Sequence, residues 1–250
     1  GPEVMGRQAI AEARYWGPFR SVSSRLSSVG RPILRGCMMR EIDLQTWPRR
    51  EHFRVFSGLD YPHFGLCATV DITALRSFLK DRGLSSTVAI VYIVARAANG
   101  IPAFRQRIRS GSVVEHDVCH PSTTIMTEND IFSFCVLRYC DNFPSFAAEA
   151  AERIARVKEQ IDMEDHTVRD QLLFTTAIPW ISFTSFLHPI NLNPTDSVPR
   201  IAWGRFFEEG HAVKMPLAVQ VHHGVVDGLH VGRFYEAVQG FCDRPGDALR

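Results

Sequence analysis

One stretch near the C-terminus decides the fold and the candidate site: Gln220-Val221-His222-His223-Gly224-Val225-Val226-Asp227-Gly228. An apolar run from Met215 to Val221 leads into it, and such a run predicts a buried strand. The pair Asp227-Gly228 is typical of a turn. Beyond the turn, apolar residues recur at helical spacing: Val231, Phe234, Tyr235, Val238 and Phe241. The stretch therefore predicts a strand, a turn and a helix that packs behind the turn.

The two adjacent histidines of this stretch lie where the predicted strand ends. Partial burial at such a place keeps an imidazole neutral and able to accept a proton, which favours His223 as a general base. A histidine at a strand end is more often a hydrogen-bonded core residue, so spacing alone leaves both interpretations open. Neighbouring strand residues point to opposite faces, so His222 and His223 are poorly placed to share a metal ion. The sequence contains neither an H-E-x-x-H motif nor a Cys/His spacing typical of a metal site, so we expect no metal site.

The composition is that of an ordinary globular protein. Of 250 residues, 45% are hydrophobic and 22% are charged, and the formal net charge is +1. This balance favours neither a nucleic-acid partner nor a membrane surface. The sequence has no apolar run of about 18 residues that could span a bilayer. The six cysteines include no C-x-x-C pair, which favours reduced thiols and a cytoplasmic location.

Residues 1–40 differ from the rest of the chain. They hold seven arginines but only two acidic residues, Glu3 and Glu12, and a serine-rich segment at 21–28. An acid-poor segment rich in Arg and Ser also fits a transit peptide. We favour an N-terminal extension that packs on the protein surface or on a neighbouring subunit. Residues 41–250 are then predicted to form the folded domain.

Hydrophobic periodicity predicts strands and helices that do not alternate strictly. The predicted strands are 40–44, 66–70, 123–127, 131–139, 172–186, 200–207 and 213–221. Predicted helices begin near Pro48, after Asp71, after Ser85 or Ser86, and at Pro144 or Ser145. The helix at 87–99 is apolar on nearly all sides and should be buried. This mixture predicts an α/β (α+β) two-layer sandwich, with helices and one large mixed β-sheet.

The chain lacks the motifs of several common enzyme classes. It contains no P-loop, no G-x-G-x-x-G fingerprint and no G-x-S-x-G nucleophile elbow. A candidate base without a protein nucleophile beside it suits direct transfer, in which an acceptor hydroxyl loses its proton and attacks an activated acyl group. Such a reaction needs an oxyanion donor, and the hydroxyl-rich segment from Thr175 to Trp180 could supply one.

Five segments, in this order, resemble the chloramphenicol acetyltransferase family. They are Trp47 to Phe53, Val70 to Thr73, Asp117 to Pro121, Ile178 to Phe186 and Met215 to Gln239. The resemblance implies the family's fold and a CoA-dependent O-acyltransferase of the antibiotic-resistance kind. Acetyl-CoA would be the acyl donor, and chloramphenicol or a similar small molecule the acceptor. It also implies a homotrimer whose active sites lie at subunit interfaces, where the two substrates enter from opposite sides.

The same resemblance assigns catalytic and structural roles. It implies that His223 is the catalytic base and that Asp227 forms a structural salt bridge with Arg49. The family's oxyanion-stabilising serine lies three residues before the Pro-Trp pair, where this chain has Thr176. A hydroxyl is kept there, so the resemblance implies a catalytic role for Thr176 as well.

The acceptor pocket implied by the resemblance is partly altered. Aromatic pocket positions of the family correspond to Phe56, Phe64 and Phe132. Departures from the family pattern are Ala202 in place of a water-binding threonine, the polar residues Asp60 and His63, and the run Leu187-His188-Pro189. The chemistry is therefore expected to be retained, with an acceptor pocket that differs.

Three alternatives to chloramphenicol acetylation stay open. One is an acyltransferase of the same fold that serves a different acceptor in a biosynthetic pathway. Another is the catalytic core of a dihydrolipoamide acyltransferase, which shares the His-x-x-x-Asp-Gly pattern but usually follows a lipoyl domain that forty residues could not hold. The third is a non-catalytic binding protein of this fold.

Overall fold

A large mixed β-sheet organises the computed structural model, which describes residues 39–159 and 170–250. The strands are β1 (Met39–Glu41), β2 (His63–Asp71), β3 (Gln106–Arg109), β4 (Ser112–His116), β5 (His120–Met126), β6 (Phe132–Val136), β7 (Leu172–Ile178), β8 (Arg200–Gly204), β9 (Phe207–Glu209) and β10 (Ala212–His222). The seven-stranded sheet has the order β2-β10-β8-β7-β5-β6, with β9 paired to β10. Strand β7 runs parallel to β5 and β8, whereas the other pairs are antiparallel. A smaller sheet has the order β1-β4-β3.

The helices lie between and after these strands. They are α1 (Arg50–Phe56), α2 (Thr73–Arg82), α3 (Ser86–Asn99), α4 (Pro102–Arg105), α5 (Phe143–Glu159), α6 (Gly228–Asp243) and α7 (Pro245–Ala248). Helix α3 begins at a serine cap, because the Ser85 hydroxyl accepts a hydrogen bond from the backbone N–H of Val88. All residues from Val88 to Ala95 are buried, as the apolar surface of this helix predicted.

One face of the sheet packs on the helices. In the β8–β10 pairing, Val219 lies beside Ile201 and Leu217 beside Trp203, so these four side chains share a face. All four are buried in the cluster that also contains the apolar residues of α3 and α6. Each such side chain contributes about 1.5–3 kcal/mol when it leaves water, so this face holds most of the stabilising burial.

The opposite face is covered at one end by the irregular segment 179–199. The backbone N–H of His188 donates to Gln220 Oε1 at 2.8 Å, which fixes this segment over β10. The carbonyl oxygen of Asp196 lies 2.7 Å from His63 Nε2 and ties the same segment to β2. Polar side chains of the sheet are therefore buried here beneath a loop and not beneath a helix.

The predicted mixed sheet is confirmed, but several predicted boundaries were wrong. The strand predicted at 172–186 ends at Ile178, since Pro179 has no backbone N–H to donate to the sheet. The carbonyl of Ile181 instead accepts from the N–H of Arg205 at 2.9 Å. The helix predicted from Pro48 begins only at Arg50. The strand predicted at 40–44 is confined to Met39–Glu41.

The strand predicted at 200–207 is interrupted after Gly204. A Cβ atom at this glycine would lie 2.8 Å from the carbonyl oxygen of Ile181, so the close approach of two backbones requires glycine. The chain then re-enters the sheet as β9 and turns at Gly210, whose φ of +62° suits a glycine.

Two predicted segments fall outside the described residues. The extension at 1–40 is described only at Met39 and Arg40, and the polar segment 162–171, which has the composition of a loop, only at its last two residues. The domain boundary near residue 40 therefore stays a prediction. Within the described part, no helix is long and apolar enough to cross a membrane.

Candidate active site

The end of β10 carries a buried histidine that supports the turn. His222 is almost fully buried, and its Nδ1 accepts a hydrogen bond from the backbone N–H of Gly224 at 3.0 Å. A Cβ atom at Gly224 would lie 3.0 Å from the His222 ring, so glycine allows this contact. Burial, together with the neighbouring His63, lowers the pKa of His222 to about 4. His222 is therefore a neutral, hydrogen-bonded part of the turn.

The next residue, His223, is held between two aromatic rings. Its imidazole stacks on Phe56 with a centroid distance of 3.8 Å and an interplanar angle of 6°. Phe64 lies on it at 4.6 Å and 48°. The backbone N–H of His223 donates to the carbonyl of Pro62 at 2.8 Å. About a third of the side chain stays exposed (32%), so a fixed imidazole faces solvent.

Asp227 and Arg49 form an ion pair behind this histidine. Arg49 contacts the carboxylate with both terminal nitrogens, and the Nη2–Oδ1 distance is 2.9 Å. Arg49 Nη2 also donates to the carbonyl oxygen of His223 at 3.2 Å, so one guanidinium ties both ends of the turn to α1. Burial opposes ionisation of Asp227, but the hydrogen bonds and charge of Arg49 outweigh it and hold its pKa below the usual range.

The same aspartate approaches the imidazole and starts α6. Its Oδ1 lies 3.4 Å from His223 Nδ1, which is beyond good hydrogen-bond length. Its backbone N–H donates to His230 Nδ1 at 2.9 Å, in the first turn of the helix. Asp227 thus fixes the position of the turn, and its carboxylate is engaged mainly by Arg49.

Thr176 and Phe132 lie in a different part of the chain's surface. Both line a cavity of about 600 Å³. Its other aromatic walls are Phe134, Phe174, Trp180 and Phe186. Thr176 lies beside Ala202 in the β7–β8 pairing, so the hydroxyl that the family pattern would add at 202 is missing from its neighbour. The cavity is predominantly apolar and has the size of a small-molecule site.

The predicted catalytic residues therefore fall into two groups. Thr176 aligns with Ala202, and Ala202 aligns with Ala218 on β10. His223 lies five positions beyond Ala218 along the chain. Two strand spacings of about 4.8 Å across the sheet and five residues of about 3.3 Å along the strand place the backbones of Thr176 and His223 about 19 Å apart. Within one chain, Thr176 and His223 cannot both reach the same acyl carbonyl.

Several polar residues lie near the cavity, and sequence reasoning missed one of them, Arg200. His188 and Arg200 line it, and Arg200 Nη2 contacts Asp196 Oδ2 at 2.5 Å. His63 lies beside His222, with a ring centroid distance of 5.1 Å. The unusual run at 187–189 and the polar His63 were noted as departures from the family pattern. Alternation along β8 could have identified Arg200, because it shares a face with Ala202.

The described residues contain no group of three or more His, Cys, Asp or Glu side chains that could hold a metal ion. The arrangement at His223 resembles that of a proton acceptor: a partly exposed imidazole fixed between two aromatic rings. The geometry supports proton transfer at this residue.

Comparison with known proteins identifies one family. The family model for chloramphenicol acetyltransferase matches residues 38–239. A chloramphenicol acetyltransferase from Klebsiella sp. is 33% identical over 205 residues, which cover 81% of this chain and 93% of that protein. A solved chloramphenicol acetyltransferase structure superposes with a TM-score of 0.78 at 29% identity, and the match covers 82% of this chain and all of that one.

A more distant structure shares only the fold. A probable dihydrolipoamide acetyltransferase from Listeria monocytogenes superposes with a TM-score of 0.58 at 20% identity, covering 82% of this chain and 94% of the other. Identity this low carries no information on substrate.

Proposed function

The chain belongs to the chloramphenicol acetyltransferase family and is an acyltransferase, and we propose that it transfers acetyl from acetyl-CoA to a hydroxyl of chloramphenicol or a similar small molecule. One observation carries this proposal. The His223 imidazole is stacked on Phe56 and packed on Phe64, yet a third of its side chain remains accessible. That is the geometry a general base needs, since the ring is fixed but the acceptor can reach it.

The proposed reaction is a direct transfer. His223 takes the proton from the acceptor hydroxyl, and the oxygen attacks the thioester carbonyl of acetyl-CoA. A tetrahedral intermediate forms, and it collapses when the carbon–sulfur bond breaks. The imidazolium then returns its proton to the departing CoA thiolate. The products are an acetyl ester and CoA, and the enzyme carries no acyl intermediate.

Asp227 and Arg49 would contribute to catalysis by holding the proposed base, His223, in position. Their ion pair fixes the turn that carries His223, and Arg49 also holds the carbonyl of His223. A carboxylate engaged by a guanidinium has a lowered pKa and is a poor proton acceptor. We therefore assign this pair a structural role and not a catalytic one.

Thr176 would stabilise the oxyanion from a second copy of the chain. Its hydroxyl is a suitable donor, but about 19 Å of sheet separates it from His223 in the same chain. A homotrimer with active sites between subunits solves this difficulty, because His223 of one copy then faces the cavity of the next. Large apolar side chains exposed near the two groups support such an interface: Leu59, Tyr61, Leu66, Trp180, Ile181 and Leu187.

The acceptor would bind between aromatic side chains of two subunits. Phe56 and Phe64 come with His223, whereas Phe132 belongs to the cavity that contains Thr176. Acetyl-CoA would approach His223 from the opposite side. We assign the reaction to the cytoplasm, a choice that the free thiols of all five described cysteines support.

A second candidate function is acetylation of a different acceptor. The observation that favours it is the polar end of the cavity, formed by His188 and by the buried Arg200. A pocket that keeps the base but adds polar groups suits an acceptor with different hydrogen-bonding groups. The catalytic step would be the same for both acceptors.

The test follows free CoA thiol in a mixture of the protein, acetyl-CoA and chloramphenicol. Rapid release in the wild type, reduced by a factor of about 10²–10⁴ in His223→Ala, is the expected result. His211→Ala provides a matched control, because His211 is an exposed residue at the β9–β10 turn. Release that survives in His223→Ala would refute the base. Release with another small alcohol but not with chloramphenicol would support the second candidate.

A further inference from the structure

One buried histidine, His63, contacts both the strand that leads to the proposed base and the segment that covers the cavity. It is the first residue of β2, and only 7% of its surface is exposed. The proposed transfer step does not use it. Its two sets of contacts nevertheless reach both of the groups into which the predicted catalytic residues are divided.

The hydrogen bond of His63 to the covering segment fixes its tautomer. Its Nε2 lies 2.7 Å from the carbonyl oxygen of Asp196, and a carbonyl can only accept, so Nε2 carries the hydrogen. Burial lowers the pKa of His63, so the ring is uncharged at neutral pH. A glutamine could donate the same bond, so the bond alone does not explain why an aromatic ring lies at this position.

Beyond this bond, Asp196 is joined to the wall of the cavity that contains Thr176. The backbone N–H of Asp196 donates to the carbonyl of Asn191 at 2.9 Å, and Asn191 lines the cavity. Ile190, the residue before it, lines the cavity as well. The bond from His63 therefore holds this part of the cavity wall against the sheet.

On its other side, His63 packs against the strand end that carries His223. His63 and His222 are partners in the β2–β10 pairing, and their rings meet edge to face at a centroid distance of 5.1 Å and an angle of 73°. His222 Nδ1 in turn accepts from the backbone N–H of Gly224, which follows His223. The carbonyl of Pro62, the residue before His63, accepts from the N–H of His223 at 2.8 Å. His63 thus supports the turn that fixes the proposed base.

These two sets of contacts belong to different active sites when the sites are shared between copies. About 19 Å separates Thr176 from His223 in one chain, so the cavity of each copy receives the base of a neighbour. The base of that copy then serves the cavity of the third copy. His63 is joined to the cavity of one site and to the base of the next.

We propose that His63 is a positioning residue for two neighbouring active sites: its ring holds the base of one site through His222, and its N–H holds the cavity wall of the other through Asp196. This inference rests on the proposed acetyl transfer at sites between copies. The ring contact sets the position of the base relative to the acceptor hydroxyl, and therefore kcat. The N–H sets the shape of the cavity, and therefore KM for the acceptor.

Two variants separate these roles, because each keeps one half of the imidazole. His63→Gln keeps a side-chain N–H for Asp196 but removes the ring that packs on His222, so kcat should fall about tenfold with KM for chloramphenicol unchanged. His63→Phe keeps the ring but removes the N–H, so KM should rise about fivefold with kcat largely unchanged. The matched controls His211→Gln and His211→Phe, at an exposed histidine, should change neither constant.

A purely structural role would give a different pattern. The two variants would then change kcat and KM in the same way, in parallel with a lower melting temperature, and this result or unchanged constants in both variants would overturn the positioning role. If the wild type releases no CoA thiol, the acetyl transfer is refuted, and the positioning role with it. CoA release with the same effect of both variants refutes only the positioning role.

Mixed trimers test on which copy each role acts. In hybrids of His223→Ala and Thr176→Ala, an intact site takes its base from the Thr176→Ala copy and its cavity from the His223→Ala copy. His63→Gln should lower kcat of the intact sites about tenfold in the copy that supplies the base and have no effect in the other. His63→Phe should raise KM only in the copy that supplies the cavity. Equal effects in both copies would overturn the assignment of His63 to two sites.

Discussion

Two inactive variants should restore activity to each other if the active site is shared between copies. The variants are His223→Ala, which lacks the base, and Thr176→Ala, which lacks the oxyanion donor. Each alone should lose a factor of about 10²–10⁴ and about 10²–10³ respectively. About 19 Å separates the two positions in one chain, so no single copy can contain a complete site of its own.

The expected recovery follows from the symmetry of the assembly. In a ring where each site takes His223 from one copy and Thr176 from the next, random mixing of equal amounts leaves about one quarter of the sites intact. The mixture should therefore reach about a quarter of wild-type activity, far above either parent. Subunits are mixed by co-expression with two different affinity tags. Trimeric hybrids purified through both tags, which exclude the unmixed parents, should reach about a third of wild-type activity.

A second mixture provides the control. Wild type mixed with the double variant His223→Ala/Thr176→Ala should keep about one quarter of the sites when these are shared, but about one half when each copy is complete. Purified hybrids of the two single variants that show only the mean activity of their parents would refute the shared site. Such hybrids would also contradict the distance of about 19 Å between Thr176 and His223 within one chain, on which the shared site rests.

Three further predictions concern single residues. Thr176→Ser should keep most of kcat, whereas Thr176→Ala should lower kcat by about 10²-fold with little change in KM. Steady-state kinetics measure both parameters, and equal losses of kcat in the two variants would contradict a role for the hydroxyl. Arg49→Ala should lower the free energy of unfolding by about 2 kcal/mol in urea, because Asp227 loses its partner, while Arg54→Ala, which breaks an exposed pair on the same helix, should cost about 0.5 kcal/mol or less. His222 has a folded-state pKa of about 4, so the unfolded chain binds a proton first as the pH falls below about 6.5, and stability is lost down to about pH 4. At pH 5 the free energy of unfolding should be lower by about 2 kcal/mol because of His222. This contribution should be absent in His222→Asn, whose side chain can still accept a hydrogen bond from the backbone N–H of Gly224. If the variant shows the same pH dependence of stability as the wild type, groups other than His222 cause it.

The strand that ends beside His223 could be predicted because local chemistry encodes it. The apolar run before His222 has the pattern of a buried strand, so the position of His223 at a strand end followed directly. The turn predicted at Asp227-Gly228 was wrong, because the chain turns at 223–225 and Asp227 is the N-cap of α6, whose first residue is Gly228. The burial of α3 followed in the same way from its apolar surface. In both cases the residues that decide the structure are neighbours in sequence.

The boundaries near Pro179 and Gly204 could not be predicted, because contacts between distant segments decide them. Residues 179–186 contain many residues that favour strands, yet they leave the sheet after Ile178. The carbonyl of Ile181 then bonds to Arg205, where only glycine at 204 allows the two backbones to approach. Propensity describes a single segment, and here the tertiary contact is stronger than the propensity.

The division of the site into two groups was equally hidden from the sequence. Thr176 and His223 were assigned to one reaction, but strand order and register determine that they lie on distant parts of the same sheet. The order β10-β8-β7 places two strand spacings between them, which no motif records. Pairing register is a non-local property, so only the structure reveals that Thr176 and His223 are far apart within one chain.

His188 illustrates why departures from a pattern are informative. Burial, together with the charge of Arg200, lowers the pKa of His188 to about 4, and a hydrogen bond to the Gln220 side chain acts in the opposite direction. Local rules that are broken without a structural gain tend to mark functional positions. Arg200 and Asp196 lie in the same region, but they satisfy each other and therefore need no ligand.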